Sequence, residues 1–268
     1  MKVNLGDIDE TLFIALLGRA IISRQYPTLL YDAKAIELVE HVDYDFSTLK
    51  NTLRYGTNLL HAVRAKQIDG KIRAYLTEHP QASVIDLGPG LDTAFYRVDN
   101  GFIHWYDLDV PSVMTLRSTL LPPPERTTYL SASLFDSKWF TTVTDVDNGV
   151  FIITAGVLMY FEESLVRTLL SSLADAFPGA EVVFDTQSPF GKLIGDWGLR
   201  RVGMHGSATK WALKDARTII GWDNRIVLLD QFPVFRGIPR APSWSVSTKL
   251  WMNFVDSRKM RNIVHLRV

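Results

Sequence analysis

Apolar residues along this chain follow a helical period first and a strand-and-helix alternation afterwards. From residue 8 to 24, Ile8, Leu12, Phe13, Leu16, Leu17 and Ile21 fall at i, i+4, i+5, i+8, i+9 and i+13, one stripe of an amphipathic helix. Pro27 ends it. A shorter helix is predicted over Ala33–Val42, with Ile36, Leu38 and Val39 apolar. Residues 43–57 have no clear period. A third helix is predicted from about Leu59 to Leu76, closed by His79-Pro80 because a residue before proline avoids the helical region.

From Ala82 the pattern changes. Strands are predicted at Ser83–Leu87, Phe102–Tyr106, Thr128–Ala132, Gly149–Thr154 and Glu181–Phe184, and helices at Val110–Leu121, Ser137–Val143 and Glu162–Phe177. Pro111 is tolerated in a first helical turn. Gly149–Thr154 is apolar throughout, as in a central strand buried on both faces. In Glu162–Phe177, Leu165, Val166, Leu169, Leu170, Leu173, Ala174 and Phe177 form a clean stripe. The tail from residue 186 is less regular, with helices predicted at Lys214–Gly221 and Ser247–Met260 and strands at Arg225–Leu229 and Asn262–Val268. The alternation implies an α/β fold with a parallel sheet, right-handed crossovers and ligands at the carboxyl ends of the strands.

Composition narrows this further. The chain has 268 residues, 47% of them apolar, enough for a sizeable core. Lysine plus arginine and aspartate plus glutamate number 29 each, so no net field favours nucleic acid or an anionic membrane. There is no cysteine, which excludes disulfides, thiolate metal sites and a cysteine nucleophile. No secretory pattern is evident at the N-terminus and no apolar run is long enough to span a bilayer, so a soluble cytoplasmic protein is the expectation. The six histidines, His41, His61, His79, His104, His205 and His265, show no metal-ligand spacing, and no G-x-S-x-G elbow is present.

The chemistry gathers around Ser83-Val84-Ile85-Asp86-Leu87-Gly88-Pro89-Gly90-Leu91-Asp92-Thr93, a strand feeding a Gly-Pro-Gly turn. Gly88 and Gly90 would let a ligand approach the backbone, although glycine and proline also mark plain turns. A dinucleotide fingerprint wants a third glycine where Thr93 stands. Asp109 lies 21 positions after Gly88, where an acid commonly grips a ribose diol. The same residue could instead N-cap the helix beginning at Val110, and Asp107 competes for the ribose role. Asp136 could accept from an adenine amino group or N-cap the segment that follows it. Arg64, taken alone, reads as a solvated arginine on a helix.

Together these stretches resemble the leucine carboxyl methyltransferase family. The resemblance runs through Arg64 with Ile68-Asp69, Val84–Thr93 with Tyr96-Arg97, Trp105-Tyr106-Asp107-Leu108-Asp109-Val110-Pro111, Arg117, and Gly156-Val157-Leu158-Met159-Tyr160-Phe161. The bacterial branch is similar to O-methyltransferases of polyketide and other natural-product pathways. The resemblance implies a Rossmann-like class I methyltransferase with a mostly parallel seven-stranded sheet. It also implies a helical cap over residues 1–80 and a catalytic domain over 81–268. S-adenosylmethionine is the implied cofactor and S-adenosylhomocysteine its product. Arg64 matches the arginine that pairs with the carboxylate of the cofactor's methionine part, Gly88 and Gly90 the loop beneath it, and Asp109 the ribose acid. Ser133 and Leu134 match the pair flanking adenine, with Asp136 beside them. Two positions depart from the family: Ala155 replaces a glutamate that contacts the methionine amino group, and Ala94 replaces an arginine.

The expected reaction is methyl transfer to a carboxylate or hydroxyl of a small polyketide-like acceptor. The alternatives are methylation of a protein C-terminal carboxylate, or a degenerate cofactor-binding module motivated by Ala155 and Ala94. A carboxylate acceptor is already ionised and needs no base, whereas a phenol would use one, with His104, His205 and Tyr160 as candidates. Trp105, Tyr160, Trp197 and Trp211 are candidates for an apolar acceptor pocket. The expected partner is the small acceptor, with no nucleic acid and no membrane, and a homodimer stays open.

Overall fold

A computed structural model describes residues 11–47, 49, 55–201 and 209–268. The chain divides into two compact units, Met1–Ile153 and Thr154–Val268. Seven strands take the order β3-β2-β1-β4-β5-β7-β6. They are β1 (Ser83–Leu87), β2 (His104–Asp109), β3 (Thr127–Ser131), β4 (Val150–Thr154), β5 (Glu181–Gln187), β6 (Val227–Pro233) and β7 (Arg261–Arg267).

In the first unit, α1 (Thr11–Gln25) packs on α2 (Ala33–His41) and α3 (Tyr55–Glu78). Asp32 caps α2 by accepting from the Ala35 N–H, as an N-cap acid should. The predicted start of α1 at residue 8 lies outside the described residues, and α3 begins a turn earlier than its apolar stripe does. β1 pairs in parallel with β2 and β4, and β2 with β3. β1 and β4 are buried at every position, which explains the apolar run of β4 and the mostly apolar one of β1. A short helix, α4 (Ala94–Val98), follows the glycine turn, and α5 (Pro111–Leu120) links β2 to β3.

The second strand corrects the sequence expectation. It runs over His104–Asp109, not Phe102–Tyr106. The Asn100 side-chain oxygen accepts from the Phe102 and Ile103 N–H groups, and Gly101 sits at φ +85°. That turn occupies the backbone donors that an earlier strand would need.

In the second unit, α6 (Glu163–Ala176) buries its stripe as expected. β7 pairs antiparallel with both β5 and β6, and a register shift interrupts β6 between Leu228 and Asp230. β5 extends three residues beyond its predicted end, and β6 starts two residues later than expected. The helix predicted at Lys214–Gly221 shrinks to α8 (Arg217–Ile220). The last helix, α9 (Val246–Ser257), stops short of Met260, because the turn after it puts Lys259 at φ +48°. One helix was not expected: α7 (Pro189–Arg201). Its apolar positions do carry a helical period, but Gly191, Gly195 and Gly198 lower its propensity. No helix among the described residues is long and apolar enough to cross a membrane.

Candidate active site

The turn after β1 is held in place from below. Gly88 and Gly90 adopt φ +76° and +53°, which side-chain-bearing residues rarely take. The Gly88 N–H donates to the Leu108 carbonyl at 2.8 Å, and the Asp92 N–H to the Pro89 carbonyl at 2.7 Å. Two buried arginines then take three consecutive loop carbonyls. Arg117 Nη1 donates to Gly90 O at 2.9 Å and to Asp92 O at 2.7 Å, and Arg19 Nη2 donates to Leu91 O at 2.8 Å. A Cβ on Gly90 would stand 2.6 Å from Leu12 of α1. With the carbonyls engaged on this side, the loop is rigid before any ligand arrives.

Thr93, where a dinucleotide fingerprint wants glycine, belongs to a buried ion network. Its hydroxyl donates to the Asp32 carboxylate, whose oxygens lie at 2.6 and 2.8 Å. Arg97 binds Asp69 through two parallel bonds, Nε to Oδ2 at 2.8 Å and Nη2 to Oδ1 at 3.0 Å. Its Nη1 reaches Asp32 at 2.8 Å and Asp92 at 3.1 Å. Arg19 completes the cluster with Nε on Asp32 at 3.0 Å. Burial opposes ionisation of Asp92, but Arg19, Arg97, the Thr93 N–H and Arg64 outweigh it and hold the carboxyl well below its usual range. At Asp69 burial wins over Arg97 and raises the pKa. Arg64 is half-buried on α3, and its charge reaches Asp92; the surface reading of this residue is corrected on that ground.

Three acids occupy the carboxyl ends of β1 and β2, and the structure gives each a different task. Asp107, the rival ribose acid, is fully engaged. Arg117 donates to its Oδ2 through Nε at 3.0 Å and Nη2 at 2.6 Å, and Trp105 Nε1 donates to its Oδ1 at 2.8 Å. Asp109 is not a helix cap, since α5 starts at Pro111 and its N-cap is Val110. The Asp109 carboxylate accepts the Gly90 N–H on Oδ2 at 3.0 Å and the Val110 N–H on Oδ1 at 2.8 Å. One lone pair on each oxygen remains for a pair of neighbouring hydroxyls.

Asp86 carries no role in the sequence reading, and the structure sets it beside these acids. It pairs in register with Asp107 and is buried, yet it accepts no hydrogen bond from any described residue. Burial first, then the charges of Asp107, Asp92 and Asp109, push its pKa well up, and Arg117 only partly offsets them. The signal was present: a charge inside an otherwise apolar buried strand demands a partner.

The other expected residues divide. Ser133 is exposed and Leu134 buried just past β3. Asp136 caps the 3-10 turn Ser137–Thr142 by accepting from the Lys138 N–H at 3.1 Å. Ala155 directly follows β4, and the next residue, Gly156, at φ +77°, donates its N–H to Asp185. Tyr160 is half-buried in the 3-10 turn Leu158–Tyr160. His104 does not join the loop residues. It opens β2 and stacks on Tyr106 at 4.9 Å, about 17 Å of strand away from Asp109. His205 lies outside the described residues. The four candidate pocket aromatics differ in burial: Trp105 is core, Trp211 is buried, Tyr160 is half-buried and Trp197 is 55% exposed.

These residues suit an adenosyl amino acid. A buried acid without a partner fits an ammonium, Arg64 a carboxylate, Asp109 a diol, and the positive-φ glycines a close approach to the backbone. Residues 13–174 match the leucine carboxyl methyltransferase family. The chain is 31% identical over 189 residues to the tetracenomycin polyketide synthesis O-methyltransferase TcmP of Streptomyces glaucescens, over 70% of this chain and 69% of that protein. Among solved structures, a SAM-dependent methyltransferase from Anabaena variabilis aligns with a TM-score of 0.54 at 14% identity, over 76% of this chain and 83% of that one. A DUF574 family protein from Streptomyces avermitilis aligns at 0.57 and 13% identity, over 94% and 96%. At these identities the two structures bear on the fold, which is that of class I methyltransferases. The chain belongs to the leucine carboxyl methyltransferase family and is an S-adenosylmethionine-dependent methyltransferase.

Proposed function

We propose that this enzyme methylates an oxygen, carboxylate or hydroxyl, of a small polyketide-like acceptor. The observation that carries the reading is the 31% identity to an O-methyltransferase of polyketide synthesis. The bound cofactor supplies a methyl group already activated on a sulfonium. The chain's own residues bind and orient. Arg64 takes the methionine carboxylate and Asp86 the ammonium. Gly88 and Gly90 let the backbone approach, Asp109 grips the ribose hydroxyls, and Ser133, Leu134 and Asp136 flank the adenine. Asp86 stands in for the glutamate that Ala155 lacks, since one buried carboxylate is enough for one ammonium. Holding donor and acceptor in line supplies most of the acceleration in such a displacement, on the order of 7–11 kcal/mol. Label transfer from S-adenosylmethionine to a panel of aromatic acids and phenols tests the reading. Base-labile methyl ester or stable methyl ether is the expected product. Label incorporated only into protein would overturn it.

The cofactor assignment has its own test. Arg64→Ala and Asp86→Asn are each expected to weaken S-adenosylhomocysteine at least tenfold by calorimetry, about 1.5–3 kcal/mol for a lost charged contact. Asp86 ionises only against its burial, so wild-type affinity should climb as pH rises through its titration, and Asp86→Asn should flatten that climb. The unliganded fold should respond in the opposite sense. A raised folded-state pKa lowers stability as pH rises above the unfolded value of about 4. Asp86→Asn should therefore melt higher than wild type at pH 7, and the gain should vanish in acid. A pH-independent gap in affinity would remove Asp86 from the site.

A further inference from the structure

The second unit carries an apolar face formed by two of its helices. α7 rests on the start of β7 through glycines: a Cβ on Gly191 would stand 2.2 Å from the Met260 carbonyl oxygen, and one on Gly195 would stand 3.3 Å from Arg261 Nη2. That contact fixes the helix's rotation and turns another stripe outward. Phe190, Leu193, Ile194 and Trp197, at i, i+3, i+4 and i+7, are 40%, 66%, 41% and 55% exposed. α9 behaves alike. It buries Met252 and Val255 and exposes Val246, Leu250 and Phe254 at 72%, 63% and 43%. The two stripes meet where Phe190 and Phe254 pack edge to face, with ring centroids 6.3 Å apart. The Arg258 guanidinium lies 6.0 Å from each ring centroid and marks the border of the face.

We infer that this face is a two-fold interface between copies of the chain, built from α7 and α9 of each. The seven side chains expose on the order of 700 Å² of apolar surface, above the ~300–600 Å² of the largest patch on a typical monomer. An isologous contact uses the patch twice, so two copies would bury about 1,400 Å², inside the ~1,200–2,000 Å² of stable specific interfaces. The stripes hold no ionised group, the nearest surface lysine on α7 is neutralised by Asp196 at 2.8 Å, and the whole chain has equal numbers of acidic and basic residues.

Sedimentation of the full chain from about 1 to 100 µM should show a species of twice the 30.3 kDa chain mass. Leu193→Glu with Leu250→Glu should halve that mass while leaving circular dichroism and cofactor affinity unchanged. The absence of cysteine gives a second route that needs no charge in the face. A Leu250→Cys chain should cross-link to itself with a short bismaleimide, and a Phe102→Cys chain, 66% exposed in the first unit, should not. A monomer throughout the concentration range overturns the inference. So does a dimer that survives the double variant, or wild-type flotation with anionic vesicles in place of self-association.

Discussion

Arg97→Ala is expected to cost about 3–5 kcal/mol of stability at pH 7, the penalty for stranding a buried charge. Arg97 is the shared partner of three acids, and its removal leaves Asp69 with no ion pair among the described residues and takes one cation each from Asp32 and Asp92. For a chain of this size the melting temperature should drop on the order of 10 °C. The sign of the pH dependence follows from Asp92, whose folded-state pKa is depressed. Its contribution is complete above the unfolded value of about 4 and disappears as pH falls through the folded one, so the gap between variant and wild type should narrow in acid. Removing Asp69 as well should restore part of the loss, because the bidentate pair goes as a unit. A loss below about 0.5 kcal/mol, the scale of an exposed arginine, would mean that the network contributes geometry without holding the fold.

Asp109→Ala should raise the cofactor dissociation constant about 10- to 100-fold with little change in melting temperature. A carboxylate accepting two hydroxyls makes charge-assisted bonds worth about 1.5–3 kcal/mol. The carboxylate also holds the Gly90 N–H, so part of the loss comes from the loop itself. An analogue lacking the ribose 2′-hydroxyl separates the two contributions. Wild type should bind it more weakly than the parent, whereas the variant should bind both alike. If the variant still distinguishes them, the diol is gripped by another residue, and buried Asp107 is already committed to Arg117 and Trp105.

Much of this was legible because the physics is local. The apolar run at β4 requires burial on both faces, and Gly88-Pro89-Gly90 between a strand and a helix requires a turn with positive φ. Spacing pointed to Asp109 but left Asp107 and a helix cap as rivals. What escaped depended on partners remote in sequence. Asp107 and Asp109 are two residues apart and look alike until Arg117 is seen to claim one of them. Asp86 lies inside the glycine motif itself, and its burial without a hydrogen bond from a described residue is visible only in space. The charge of Arg64 reaches Asp92, 28 residues on, which no helical periodicity reports. α7 was missed because its glycines, unfavourable to a helix in isolation, serve a close contact with β7.

The buried network also bears on how such enzymes can be recombined. Arg19 and Asp32 stand before β1, and Asp92, Thr93 and Arg97 stand after it, yet they form one ion cluster. The helices ahead of the sheet are therefore not an interchangeable module. A chimera that swaps the first 45 residues for those of a relative divides the cluster between two parents. Unless both parents keep the same acids and arginines, positions 92, 93 and 97 must be exchanged together with positions 19 and 32. Otherwise the change meant to alter the acceptor would dismantle the glycine loop after β1 as well.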